Sequence, residues 1–245
     1  MSPNVLLIAA MEREIAPLAK VFRRSDATTG HYPVLEKGSV RLLYAGIGGE
    51  PAARAASWAI DSLRPEVVMS IGFAGALTPD YKVGDVITPA EVVDGSSGET
   101  FSAGFGNGVL VTNTGVLAEG DKRQLAARYG AIAVDMEAAA VARVAQENRI
   151  PFFAVKAVSD EVDFRMPPLE KFVGKAGKFQ TSRLLAHVAV RPAFWPVLMH
   201  LGANAKRASS QLCRWLENQM SRDFQDMLGG VRGPVEIGPR KGSFR

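Results

Sequence analysis

Three carboxylates, Glu14, Glu137 and Asp160, stand where apolar, strand-like runs give way to the next segment of the chain. Glu14 follows VLLIAA within AMERE, Glu137 follows AIAVD, and Asp160 closes FFAVKAVSD. Acids in such places do one of two things. A single acid caps a helix or favours its positive N-terminal dipole. Acids from several strands can instead share a pocket that works on a small molecule, because ligands of open α/β sheets bind beyond the carboxyl ends of the strands. Asp135, two residues before Glu137, is open to both readings.

The elements that must position these acids are legible as apolar periodicity. Strand-like runs occur at Val5–Ala10, Val40–Ala45, Val67–Ile71, Val83–Ile87, Val109–Thr112, Ala131–Asp135 and Phe152–Val158. Several are continuously apolar, as in strands covered on both faces. Helix-like segments lie between them at Glu14–Phe22, Pro51–Leu63, Glu119–Tyr129 and Glu137–Asn148. Pro51 suits a first helical turn, and Pro151 follows the Ala-rich AAAVARVAQEN. The alternation predicts an α/β fold with a largely parallel sheet and helices on both faces.

Two glycine-containing stretches, YAGIGGEPAA and SIGFAGALTP, read as turns after strands, serving either a ligand or tight strand–helix packing. The first is no dinucleotide fingerprint: Pro51 takes the place of the third glycine, and the opening strand runs into AMERE without any glycine. There is no GxxxxGK[ST] phosphate loop either.

Composition excludes several other functions. Across 245 residues, 47% are hydrophobic and 22% charged, enough apolar surface for one sizeable domain with a core. One cysteine and three scattered histidines give neither a disulfide framework nor metal-ligand spacing. No run of about 18 apolar residues is present and the N-terminal stretch lacks a basic flank, so a cytoplasmic protein is expected. The net charge of +4 is uneven, with Arg and Lys concentrated after Arg183. Glu161–Gln180 reads as a long binding loop, Thr181–Val190 and Pro192–Met220 as helical, and the end of the chain as a tail. This divides the chain into a catalytic domain (1–190), a helical extension (191–220) and a flexible tail (221–245).

Taken in order, AAMEREI, YAGIGG, SIGFAGAL, VGDVI, AVDMEAAAVA and AVKAVSDEVD resemble the purine nucleoside phosphorylase and nucleosidase superfamily, most of all its methylthioadenosine/S-adenosylhomocysteine nucleosidase branch. The resemblance spans about Val5 to Asp163. It implies a three-layer α/β/α fold around a twisted mixed sheet, and cleavage of the bond between a purine and ribose. It further implies that Glu14 is the base orienting an attacking water, and that Glu137 grips the ribose hydroxyls with Met136 beside the sugar. Asp160, next to Ser159, would deliver a proton to purine N7, and Val116 and Leu117 would flank the base. Gly72, Phe73 and Ala74 of the second glycine stretch would line the same site. Such chemistry asks for a protonated Asp160, its pKa raised by burial, and an ionised Glu137 near the cationic sugar. It needs no metal and no cofactor.

The stretch DGSSGETFSAGFGNG is shorter than its counterpart in the nucleosidase branch, which leaves the 5′ specificity and the homo-oligomer expected from that branch open. The chain is also similar to the short hopanoid-associated phosphorylases, whose co-substrate is phosphate. Arg13 and Arg54 are the candidate phosphate partners, although SIGFAGAL carries no Arg; this favours water as the nucleophile. RPAFWPVLMHLGANAKRASSQLCRWLENQM mixes large apolars with Arg and Lys, so it could touch a membrane surface or pack on the domain or a neighbouring subunit, packing being preferred. No nucleic-acid partner is expected. A non-catalytic nucleoside-binding module is the remaining rival, which the presence of all three acids disfavours.

Overall fold

The computed structural model describes residues 3–25, 32–115, 117, 119–164 and 195–224. The strands among them are β1 (Val5–Ala9), β2 (Arg23–Arg24), β3 (Val34–Lys37), β4 (Val40–Tyr44), β5 (Val67–Ala76), β6 (Val86–Ile87), β7 (Glu91–Asp94), β8 (Thr100–Ser102), β9 (Val109–Thr112), β10 (Ala131–Asp135) and β11 (Phe152–Asp160). The helices are α1 (Ala16–Ala19), preceded by a 3-10 turn at Glu12–Glu14, then α2 (Gly49–Leu63), α3 (Glu119–Tyr129), α4 (Ala138–Glu147) and α5 (Trp195–Ser221).

The strands form one mixed sheet in the order β2-β3-β4-β1-β5-β10-β9-β7-β8, with β11 added along β5 and β6 along β11. Pairs β1/β4, β1/β5, β5/β11, β9/β10 and β7/β9 are parallel, whereas β10 runs antiparallel to β5. Side chains alternate between the two faces of a strand, and β1 divides accordingly. Leu6 and Ile8 join the core under α2 and α4, while Val5, Leu7 and Ala9 join the core under α1 and α5. The result is the expected three layers.

Helices α2 and α4 share one face of the sheet because their inner stripes are small. Ala52, Ala55, Ala56 and Ala59 of α2, and Ala138, Ala139, Ala142 and Ala145 of α4, are all buried. At Gly49 a Cβ would lie 3.5 Å from Cβ of Ala140, so the start of α2 rests directly on α4. On the opposite face α5 buries Ala208, Leu212, Cys213 and Leu216 in the same cluster as Ile15, Leu18 and Phe153. The C-terminal helix therefore packs its apolar stripe on the domain, as preferred from its composition. Among the described residues, no helix is long and apolar enough to cross a membrane.

The structure corrects several sequence expectations. SIGFAGA is not a turn: β5 runs through it to Ala76, and only Gly72, at φ +139°, departs from ordinary strand conformation. The helix expected over Glu14–Phe22 shrinks to a 3-10 turn and the four residues of α1. Strands β2, β3 and β8 were not anticipated, and β8 pairs antiparallel with β7 across the first part of DGSSGETFSAGFGNG. The Thr181–Val190 helix, most of the Glu161–Gln180 loop and nearly all of the 221–245 tail lie outside the described residues.

Candidate active site

The acids converge because of the pairing of β5. Ser70 of β5 lies beside Ile8 of β1, near where the chain leaves for Glu14. Further along, Gly72 faces Lys156, and Gly75 lies between Val134 of β10 and Asp160 of β11. A bulge between Val158 and Asp160 brings the last acid into this register. The ends of β1, β10 and β11 are thus gathered along a few residues of one central strand.

Two glycines of that strand make room for two carboxylates. A Cβ on Gly72 would lie 2.8 Å from Oε2 of Glu14, and one on Gly75 would lie 2.8 Å from Oδ2 of Asp160. The two glycines stand three residues apart, roughly 10 Å of strand at most, so both carboxylates rest on the same short stretch of β5. The glycines of SIGFAG thus serve carboxylate packing, a role outside both sequence readings.

Glu14 is buried, and its Oε2 accepts hydrogen bonds from the backbone N–H groups of Ala10 (3.0 Å) and Met11 (3.1 Å). Burial pushes its carboxyl above the usual range, while Lys156, the two N–H groups and Arg13 oppose the rise. A carboxyl perturbed upwards is suited to take a proton from water near neutrality.

Glu137 answers the question of capping against function. It does not cap α4; its Oε1 accepts the N–H of Gly48, 2.8 Å away, in the loop before α2. Capping falls to Asp135, whose Oδ2 accepts the N–H of Ala138 (2.9 Å) and whose Oδ1 accepts the Thr112 hydroxyl (2.6 Å). Glu137 keeps some surface exposure, yet protein surrounds its carboxyl. Burial first, then the charge of Asp135, push it up to about 8. These surroundings work against the ionised Glu137 that the chemistry was expected to ask for, favouring the neutral carboxyl more than water does.

Lys156 ties the cluster together and was missed in the sequence. Its Nζ lies 2.9 Å from Oδ2 of Asp135 and donates to the Ser70 hydroxyl at 3.0 Å, fully buried. Burial works against its charge, but Asp135, Glu137 and Glu14 outweigh that and raise its pKa. The signal was a lone cation inside the apolar strand AVKAV, since lysine is almost never fully buried unless paired.

Asp160 is also buried, but its surroundings differ from those expected for a neutral acid. Its Oδ2 lies 2.6 Å from Nζ of Lys122, and its Oδ1 accepts the Ser159 hydroxyl at 2.9 Å. Lys122, on α3, was the second cation missed. Of the remaining candidates, Phe73 is half-buried against the α5-side core, and Ala74 offers its carbonyl to the Ser159 hydroxyl at 3.4 Å. Met136 and Leu117 are half-buried, and Val116 lies outside the described residues. Arg13 sits in the 3-10 turn next to Glu14, with a guanidinium pKa lowered by burial. Arg54 is exposed on α2 and pairs with Glu50 one turn away, so its guanidinium is engaged at the surface.

Residues 4–116 and 102–187 match the phosphorylase superfamily, covering most of the described fold. The chain belongs to that family. Over 200 residues it is 28% identical to a 5′-methylthioadenosine/S-adenosylhomocysteine nucleosidase of Anoxybacillus flavithermus, covering 64% of this chain and 85% of the relative. Its fold is similar to that of a Helicobacter pylori MTAN mutant crystallised with 5′-methylthioadenosine in the active site, at TM-score 0.69 and 16% identity over 91% of this chain and 100% of the other. It is similar as well to futalosine hydrolase of Helicobacter pylori, at TM-score 0.67 and 16% identity over 91% and 99% of the two chains.

Proposed function

We propose that the protein hydrolyses the N-glycosidic bond of a 5′-modified adenosine and releases adenine. The observation that supports this reading is the packing of Glu14 and Asp160 on Gly72 and Gly75 of β5, with Glu14 and Glu137 sharing the field of Lys156. Membership of the phosphorylase superfamily and likeness to proteins named as nucleosidases and hydrolases support it.

In this reading Glu14 takes a proton from water as the oxygen attacks C1′ of the ribose. The C1′–N9 bond breaks, its electron pair goes to the purine, and a proton reaches N7 by way of Asp160. Positive charge builds on the sugar only in the transition state, so groups that respond to it raise turnover rather than mere binding. Glu137 holds the ribose hydroxyls beside Met136, in surroundings where burial and the charge of Asp135 raise its carboxyl's pKa. Val116 and Leu117 flank the base, and Ser159 fixes one oxygen of Asp160. No metal or cofactor takes part. A cytoplasmic homo-oligomer, with α5 as part of the domain wall rather than a membrane contact, completes the proposal.

Incubation with 5′-methylthioadenosine in phosphate-free buffer tests it, with adenine and the sugar product resolved by liquid chromatography and mass spectrometry. The expected products are adenine and free 5-methylthioribose. A sugar 1-phosphate formed only when phosphate is added would make phosphate the nucleophile and the protein a glycosyl-transferring phosphorylase. Binding without base release from any purine nucleoside would leave a nucleoside-binding module.

A further inference from the structure

The acid that serves the departing base has a partner. On α3, Lys122 occupies the first position of the inner stripe Lys122–Leu125–Ala126–Tyr129, whose later members pack on β9 and β10. An apolar residue would suit that place; the chain has instead buried an ammonium, 3% exposed, against the Asp160 carboxylate at 2.6 Å. The same Nζ donates to the carbonyl of Glu161 at 3.1 Å. The neighbouring carboxylate of Glu161 turns away to Lys82, at 3.2 Å, and does not share the ammonium.

Burying such a pair removes two charges from water, and replacing buried pairs by apolar residues is often neutral or stabilising. The fold alone therefore gives no reason for it. A chemical reason exists. An ion-paired carboxylate is acceptor-only and has no proton to give, and both Asp160 oxygens already accept, Oδ1 from Ser159 and Oδ2 from Lys122. A purine leaving group needs a proton that such an Asp160 does not hold.

We infer that Lys122 is the proton reservoir for Asp160: the leaving-group acid is the Lys122–Asp160 pair, with Asp160 as the conduit. As the C1′–N9 bond breaks, an N–H bond of Lys122 breaks, its proton passes to Asp160, and Asp160 hands that same proton on to N7. Lys122 is left as a neutral amine with Asp160 again a carboxylate, and it regains a proton from solvent after the base departs. The net reaction stays nucleoside plus water to sugar plus base. This rests on the reading of Asp160 as the group facing the base, and Lys122 is a positioning residue that acts through it.

The test compares Lys122→Arg and Lys122→Met with the wild-type chain on two substrates. 5′-Methylthioadenosine needs a proton on its leaving group; 4-nitrophenyl β-D-ribofuranoside releases a stabilised phenolate that needs none. Arginine keeps the charge and the hydrogen bond but does not give up its proton. The expected result is that both variants lose kcat on 5′-methylthioadenosine by 10²-fold or more, in the range of general acid catalysis. KM should stay within a few-fold, and the nitrophenyl riboside rate should stay close to wild type, which also reports an intact site. Near-wild-type kcat for Lys122→Arg on 5′-methylthioadenosine would overturn the inference, because charge alone would then suffice. Equal losses on both substrates would overturn it too, assigning Lys122 a structural role. Failure of the wild-type chain to release any base is a separate outcome and counts against the nucleosidase reading instead.

Discussion

Gly75→Ala separates the positioning of Asp160 from the stability of the fold. A Cβ at that position lies 2.8 Å from Oδ2 of Asp160 and 3.3 Å from both Cγ and Oδ1. To restore an ordinary contact of about 3.4 Å or more, the carboxylate must retreat by about 0.6 Å. Gly75 is not at positive φ, so alanine fits its backbone, and the obstacle is the end of a flexible side chain. The stability change is therefore expected to stay within about 1 kcal/mol, the scale of a tolerated Gly→Ala change. Catalysis has less latitude: productive geometry holds to within about 0.5 Å, and a 1 Å misplacement costs about 10²-fold. A fall in kcat of about 10- to 100-fold follows, read from adenine release, with urea unfolding nearly unchanged. Gly72→Ala must differ, because the new Cβ meets Glu14 at 2.8 Å and the residue sits at φ +139°. Backbone strain there costs about 1–3 kcal/mol, so stability and activity fall together. Wild-type kcat in Gly75→Ala, or unaltered stability in Gly72→Ala, would refute the reasoning that these glycines exist to admit carboxylates.

Three further outcomes follow from the same cluster. Asp160→Asn should lower kcat by about 10²–10⁴-fold while circular dichroism shows the native fold, and near-normal turnover would remove Asp160 from its role. Lys156→Met leaves Asp135, Glu137 and Glu14 without their shared cation, and loss of one partner of a buried pair costs about 3–5 kcal/mol; urea unfolding measures it, and a loss below about 1 kcal/mol would contradict the central place given to Lys156. Glu137 carries a folded-state pKa of about 8 against a usual 4.5, so its stabilising contribution is complete at low pH and is lost as pH rises through that window. Stability of Glu137→Gln relative to wild type should consequently improve between pH 5 and pH 9, and a difference that does not change with pH would show that Glu137 is ionised throughout.

The sheet was legible where burial on both faces leaves a continuous apolar run. Strands β9 and β10 fall where VLVT and AIAVD predict them, and β1, β4 and β11 within two residues of expectation. Strands at and next to the ends of the sheet were not legible: RR, VLEK and TFS are short or mixed in character, and only their neighbours in the sheet make them strands. The end of β5 was hidden because glycine signals a turn locally, whereas here it yields space to acids distant in sequence. For the site, strand-end acids pointed to Glu14, Glu137 and Asp160. By position alone Asp135 and Glu137 look alike, since both lie where strand passes to helix; the structure assigns capping to the first and the long reach to Gly48 to the second. Both buried lysines did leave a trace. Lys156 breaks an apolar strand, and Lys122 stands one turn before Leu125 and Ala126 on an inner helical stripe. Their partners lie 21 and 38 residues away, and pairing at that range comes from the sheet register.

The central claim is that Glu14, Glu137 and Asp160 surround one sugar–base bond. A crystal structure of the protein with a non-cleavable C-nucleoside analogue of 5′-methylthioadenosine tests it most directly. The account predicts N7 within about 3.2 Å of Asp160, the ribose hydroxyls on Glu137, and a water between Glu14 and C1′. An analogue bound elsewhere, or one seated with Asp160 beyond reach of its base, would contradict it.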